Sequence, residues 1–328
     1  MQLSKLTGLN IILTGGAGFI GSNLAARLAS YDARVTVIDN LLTGTYDNIS
    51  GLVKNGKIKF VEADIRDAKV CAKFMQGADV VLHQAALGSV PRSIAEPLNT
   101  HSINIEGFVN VLEQTRLAGI TRFIYASSSS VYGNDLSSPK TELNTGVPLS
   151  PYALTKSVNE QYAHLYARVY GMEIIGLRYF NVFGPNQQPG GPYAAVIPLF
   201  ITQMLAGKTP VIFGDGATTR DFTYVDNVVQ ANLAALCIDK LPENVLPVFN
   251  IACGATTSLL ELYQLIAAAT GFEQQPVFMP ERKGDIRQSF ASVDAAANYL
   301  GYQPEVDLRN GIEKTVAWFR ANPQLIKL

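Results

Sequence analysis

The sequence predicts an α/β protein: a doubly wound parallel sheet with a smaller mixed α/β unit beside it. Two observations carry that expectation. Short apolar runs with little alternation recur along the first half, as strands buried on both faces require. Segments of helical period separate them with short connections, so the order reads βαβαβ, which puts parallel strands under helices on both sides. Strands are expected at residues 10–14, 35–39, 59–62, 80–83, 123–126 and 174–178, and helices at 20–30, 67–75 and 104–118.

After residue 178 the texture changes. Residues 184–193 (GPNQQPGGPY) crowd Gly, Pro and amides into a stretch that neither helix nor strand tolerates. Beyond it, 196–206 and 259–270 read as helices, 211–213 as a strand and 316–321 as the end of a last helix. Residues 226–236 and 248–251 are apolar enough to return to the first unit. The expected division is therefore 1–180 plus about 223–257 for one domain, and about 181–222 plus 258–328 for a smaller substrate domain.

Composition narrows the function. The 328 residues are 48% apolar and 16% charged, enough for about two domains at roughly 150 residues each. With 26 basic and 27 acidic residues the net charge is −1, which offers no electrostatic footprint for nucleic acid or an anionic membrane. Cys71, Cys237 and Cys253 are odd in number, without a Cys-x-x-Cys pair, so neither a disulfide framework nor a zinc spacing is expected. The three histidines, His83, His101 and His164, share no metal-like spacing. A cytoplasmic protein without a metal or a membrane span is the expectation.

Gly15, Gly18 and Gly21 in T-G-G-A-G-F-I-G-S follow the first expected strand and open the first helix. In that context the glycines allow a tight turn, close approach of backbone to a pyrophosphate, and close helix packing, while the helix start offers N–H donors. Asp39 ends the second strand, where a carboxylate accepts from an adenosine ribose and repels a 2′-phosphate; this favours NAD over NADP. Capping the following turn is the other account of Asp39. Asp64 suits either the adenine or a helix N-cap. Phe19, Ile20, Asn40, Gly44, Ile65, Ala85 and Tyr179 complete the expected cofactor contacts.

Tyr152 and Lys156 stand one helical turn apart after Pro151, so they share a face. Alone this pair says little. Its context is the hydroxyl-rich stretch Ser127 to Ser130 at the strand edge where parallel sheets bind ligands, although such a cluster can also simply form a turn. Bringing a phenol from a pKa near 10 to 7 takes about 4 kcal/mol of selective stabilisation of the phenolate. A neighbouring ammonium and a nicotinamide cation supply such stabilisation. Tyr152 is therefore the candidate base, Lys156 the charge and ribose contact, and Ser128 the donor to the reacting oxygen.

With these motifs in place, the chain resembles the extended short-chain dehydrogenase/reductases, and among them the UDP-hexose 4-epimerases. The likeness runs from G-G-A-G-F-I-G-S through R-Y-F-N-V-F-G at Arg178 to R-K-G-D at Arg282. It implies a NAD-dependent enzyme that oxidises a UDP-sugar at C4 to a 4-keto intermediate and returns the hydride to the opposite face. Sugar-nucleotide dehydratases of that family carry Asp-Glu after the catalytic Ser/Thr; here Ser129 and Ser130 stand there, which argues against dehydration.

On the substrate side the resemblance implies Asn181, Arg220, Arg282 and Asp285 as contacts to the diphosphate and uridine. Ser89, Ser129, Ser130, Gln187, Ala195 and Val196 are further expected neighbours of the UDP-sugar. Ser289 falls where a tyrosine would restrict the pocket to unacetylated hexoses, so serine implies N-acetylated substrates, UDP-GlcNAc and UDP-GalNAc. An ordinary loop serine is the plain alternative. UDP-glucose, UDP-galactose or UDP-hexuronate epimerisation, or a nucleotide-sugar oxidoreductase or decarboxylase, remain the other functions in view. A homodimer through 104–118 and 151–170 is also implied.

Overall fold

The computed structural model describes residues 2–190, 195–242, 245–281 and 288–326. Seven parallel strands form one sheet: β1 (Asn10–Thr14), β2 (Arg34–Asp39), β3 (Ile58–Glu62), β4 (Val80–His83), β5 (Arg122–Ser128), β6 (Glu173–Tyr179) and β7 (Val248–Ile251). Their order is β7-β6-β5-β4-β1-β2-β3, a Rossmann-type arrangement. The order reverses between β1 and β4, and a crevice for ligand opens at the carboxyl ends on either side of that point. Register puts Thr14 beside His83, and Ser128 beside Tyr179, along one edge.

The strands are apolar because both faces are covered. Leu24, Leu28, Ile49, Val228 and Leu236 pack on one face, from helices Phe19–Ala29, Asp47–Lys54 and Val225–Cys237. Met75, Phe108, Leu112 and Ala163 pack on the other, from helices Ala68–Met75, Gly107–Leu117 and Pro151–Tyr170. A third cluster gathers Phe183, Phe200, Ile201, Tyr224, Leu262, Ile266, Ile312 and Phe319 away from the sheet.

Three local features depart from the sequence expectation. The helix expected at 104–118 starts with a wider turn, Ser102–Glu106, before Gly107–Leu117. Within that turn buried Asn104 bonds both the N–H and the carbonyl of Leu87, at 2.7 and 3.1 Å, and so fixes the loop after β4. The last helix is longer than its expected end, running Leu308–Ala321 behind an Asp307 cap. Helix Asp294–Leu300, expected with the smaller unit, packs Ala296 and Leu300 into the first cluster over the sheet.

Candidate active site

A cavity of about 480 Å³ lies at the carboxyl edge of the sheet, between the loops after β1 and β4. Gly15 turns the chain at a φ of 71°, and a Cβ there would meet the Ala85 nitrogen at 2.5 Å. A Cβ on Gly21 would meet the Gly15 carbonyl at 2.1 Å. Helix Phe19–Ala29 begins after Gly18 with no side chain capping it, so its N–H donors face the cavity rather than a protein partner. Gly44 lies one step behind, against the backbone of Ala17.

Asp39 is buried at the end of β2. Its carboxylate accepts from the Ala17 N–H at 2.9 Å and the Leu41 N–H at 2.8 Å, so it braces the glycine loop and caps the turn while also lining the cavity. Burial raises its pKa, and those two N–H donors oppose the rise. Asp64 is gripped by Arg66 and accepts from Asn40 at 3.0 Å; Arg66 foremost holds it down at about 2. Phe19, Ile20, Asn40, Ile65 and Ala85 also line the cavity. His83 is buried, shares a hydrogen bond with Thr14 at 2.9 Å and is pushed down to about 3 by burial, so it stays neutral.

Helix Pro151–Tyr170 presents the candidate catalytic pair. Ser150 caps it by accepting from the Ala153 N–H, Pro151 occupies its first turn, and Gly171 ends it in the left-handed region. The i, i+4 spacing places Tyr152 and Lys156 together in the cavity wall with Ser128. Ser130 donates to Ser128 Oγ at 2.9 Å, and Ser128 is the polar neighbour that acts on the Tyr152 phenol. Burial raises the Tyr152 pKa, and the Ser128 bond opposes that. Lys156 Nζ donates to the Ala126 carbonyl at 2.8 Å, and burial pushes its pKa down to about 8. The ammonium thus turns to the strand end, and the folded chain alone does not make the phenol acidic.

The sequence reading missed what lies behind these residues. Ser127 donates to Glu160 Oε1 at 2.5 Å, and Arg178 grips both oxygens of Glu160 at 2.9 and 2.8 Å. Tyr179 lines the cavity, yet its hydroxyl is held in a closed ring with Gln84 at 3.1 Å and Asn232 at 2.9 Å. Only the i+4 spacing of Lys156 and Glu160 hints at any of this.

On the other side of the crevice Ser89 and Asn181 line the cavity. Ser89 has a φ of 106°, and Asn181 donates to the Asp221 carbonyl at 2.8 Å. Ser129 and Ser130 lie in the tight turn Ser129–Tyr132, as the turn-forming account requires, and outside the cavity lining, which Ser127 and Ser128 enter. Gln187 does not line the cavity: its amide donates to the Val182 carbonyl at 3.1 Å. Ala195 and Val196 form the start of helix Val196–Leu205, outside the lining. Arg220 and Ser289 are paired in register on adjacent short strands, with Thr257 on the far side of Arg220. Arg282 and Asp285 lie outside the described residues.

Asp221, also missed, is fully buried and accepts from the N–H groups of Cys253 and Gly254 at 2.9 and 3.0 Å; burial pushes it up to about 6. Among the described residues no cluster of ligating side chains suits a metal, and no helix is long and apolar enough to cross a membrane.

Comparison with known proteins agrees with this geometry. The model of the NAD dependent epimerase/dehydratase family matches residues 11–252. A putative UDP-glucose 4-epimerase of Methanocaldococcus jannaschii is 41% identical, over 95% of this chain and 99% of its own length. The UDP-N-acetylglucosamine 4-epimerase of Methanobrevibacter ruminantium, solved with UDP-N-acetylmuramic acid, superposes with a TM-score of 0.90 at 36% identity, covering 96% of this chain and 99% of the other. The UDP-glucuronic acid 4-epimerase of Bacillus cereus, solved with UDP-glucuronic acid and NAD, gives a TM-score of 0.87 at 33% identity, covering 96% and 100%. The glycine cradle, the uncapped helix start and Asp39 fit that cofactor, and the chain belongs to the NAD dependent epimerase/dehydratase family.

Proposed function

We propose that this chain is a UDP-sugar 4-epimerase that interconverts UDP-GlcNAc and UDP-GalNAc through a 4-keto intermediate on retained NAD. The observation that carries the substrate class is the register of Ser289 with Arg220. A diphosphate held by the guanidinium sets the sugar beside a small hydroxyl rather than a ring, which leaves space for a 2-acetamido group. Bound NAD supplies the two-electron acceptor. The chain's own work is proton handling: Tyr152 takes the proton of the 4-hydroxyl, Ser128 orients the phenol, and Lys156 keeps positive charge nearby. Serines after Ser128 provide no acid and base for loss of water, which favours simple inversion.

Arg282 and Asp285 complete the nucleotide side in this reading. The exposed stripe Leu154, Leu165 and Val169 on helix Pro151–Tyr170, continued by Ile94 and Leu98, supports a homodimer through that helix. Sedimentation showing a monomer at micromolar concentration excludes it.

The M. jannaschii relative's name favours a second reading, UDP-glucose and UDP-galactose. Incubating the purified protein, without added NAD, with UDP-GlcNAc, UDP-glucose and UDP-glucuronate decides among them. The expected result is a higher kcat/KM for UDP-GlcNAc. Faster turnover of UDP-glucose overturns the acetylated assignment, and stoichiometric free NADH marks an oxidoreductase instead.

A further inference from the structure

Glu160 lines no part of the catalytic cavity, yet it bonds Ser127 of the cavity wall and Arg178 behind it. It follows Lys156 by one turn on helix Pro151–Tyr170, so Tyr152, Lys156 and Glu160 share a face. Its Oε1 accepts from Ser127, the residue between the Lys156 acceptor Ala126 and the candidate catalytic Ser128. Arg178, the register partner of Ser127 on the neighbouring strand, closes a bidentate pair on the same carboxylate, and its side chain is only 3% exposed. The other Arg178 nitrogen donates to the Tyr132 hydroxyl and the Glu142 carbonyl, each at 3.0 Å. Tyr132 in turn ends the serine turn and donates to Asn250 at 2.6 Å.

We propose that Glu160, locked by Arg178, is a positioning residue that sets the helix carrying Tyr152 and Lys156 against the strand end carrying Ser128 and keeps Lys156 charged. The proposal rests on Lys156 being the working cation of the reaction above. A fully buried ammonium is disfavoured, and a fixed carboxylate one turn away restores the charged form. The electrostatics agree: burial lowers Lys156, and Glu160 is the group that raises it.

Other groups facing this pair do not take over the role. From β4, His83 is held neutral. From β5, Tyr125 is pushed well above the usual phenol range by burial, and from the serine turn after it Tyr132 is pushed up to about 12. From β6, Arg178 is a permanent cation, and from the loop before helix Pro151–Tyr170 Glu142 is raised by burial. On the helix itself, Tyr152 is raised too.

The test is the Lys156 Nζ titration followed by NMR in the intact protein, together with kcat and KM across pH. Glu160→Gln is expected to lower the Lys156 midpoint by about one pH unit, and the alkaline limb of kcat with it, while KM for the UDP-sugar stays within about twofold. Because Glu160→Gln strands a buried arginine, Glu160→Gln/Arg178→Gln is the second variant, which removes both charges and is expected to show a shift in the same direction, reduced by loss of the repelling guanidinium. Glu160→Asp keeps the charge but not the reach to both partners, so it retains the midpoint and loses kcat. An unchanged Lys156 midpoint in the double variant overturns the proposal. The titration reads the same whichever sugar the wild type turns over, so a failure of the substrate assignment is seen separately.

Discussion

The two sides of the crevice are built by different means. On the cofactor side, backbone does the shaping: Gly15 and Gly21 leave space that one Cβ would fill, and the start of helix Phe19–Ala29 is left uncapped. The segments responsible are close in sequence and end on adjacent strands. On the proposed sugar side, residues arrive from distant segments: Arg220 and Ser289, which do not line the cavity, are register partners only because two short strands pair, and Asn181 is fixed from the Asp221 carbonyl. Local backbone geometry survives variation in what surrounds it, whereas a pocket assembled from distant side chains changes with each loop. In the proposed reading the first side sets the cofactor, and the second sets the substrate.

The sharpest way to separate the two is to disable the chemistry between them. Tyr152→Phe keeps the ring and its packing but removes the phenol oxygen beside Ser128. Turnover is expected to fall at least about a hundredfold with thermal stability and bound NAD unchanged. Activity within tenfold of wild type breaks the assignment of the base. On the sugar side, Ser289→Tyr places a ring next to Arg220. UDP-GlcNAc turnover is expected to be lost while UDP-glucose turnover persists, since overfilling a built pocket forces costly repacking. Equal kcat/KM values for UDP-GlcNAc before and after the substitution show that the pocket lies elsewhere.

On the cofactor side the expected effect is smaller. Asp39→Ala removes the anion that opposes a 2′-phosphate and also strands the Ala17 and Leu41 N–H groups. Nucleotide released on denaturation is expected to contain NADP along with NAD, at a stability cost of about 1–3 kcal/mol. Release of NAD alone assigns Asp39 to the turn only.

The same contrast explains what the sequence disclosed. Strands buried on both faces read as continuous apolar runs, and a glycine loop between strand and helix carries its own spacing, so the sheet and the Gly15 to Gly21 cradle were legible residue by residue. The Ser128, Tyr152 and Lys156 set was legible because one helical turn and one strand end hold it. Gln187 was misplaced, since an amide in a Pro and Gly loop turns to whichever carbonyl is near, here Val182. Ser130, expected beside the substrate, donates its hydroxyl proton to Ser128, a partner two residues away. The Glu160–Arg178 pair and the Tyr179, Gln84 and Asn232 ring depend on which residues face each other across strands, which no single segment records.

Asp221 offers the finest test, because it is the sugar-side counterpart of Asp39: a buried carboxylate that accepts from backbone N–H groups of a turn. Here burial outweighs its hydrogen bonds and pushes it up to about 6. The sign follows from proton binding. Between pH 4 and 6 the folded state holds a proton on Asp221 that the unfolded state has released, so the carboxyl contributes stability in acid that is lost as pH rises through 6. Two pKa units correspond to roughly 3 kcal/mol as an upper bound. Asp221→Asn carries no titration at this position, so subtracting its unfolding free energy from that of wild type isolates the group. The expected difference moves against wild type by roughly 1–3 kcal/mol from pH 4 to pH 7, measured by urea unfolding. Its sign is opposite to that from Asp64, which Arg66 holds at about 2 and whose contribution is present above pH 4 and lost as pH falls through 2. A difference that stays flat, or favours wild type as pH rises, shows that the Cys253 and Gly254 N–H groups outweigh burial and that Asp221 anchors the turn as an ordinary ionised acid.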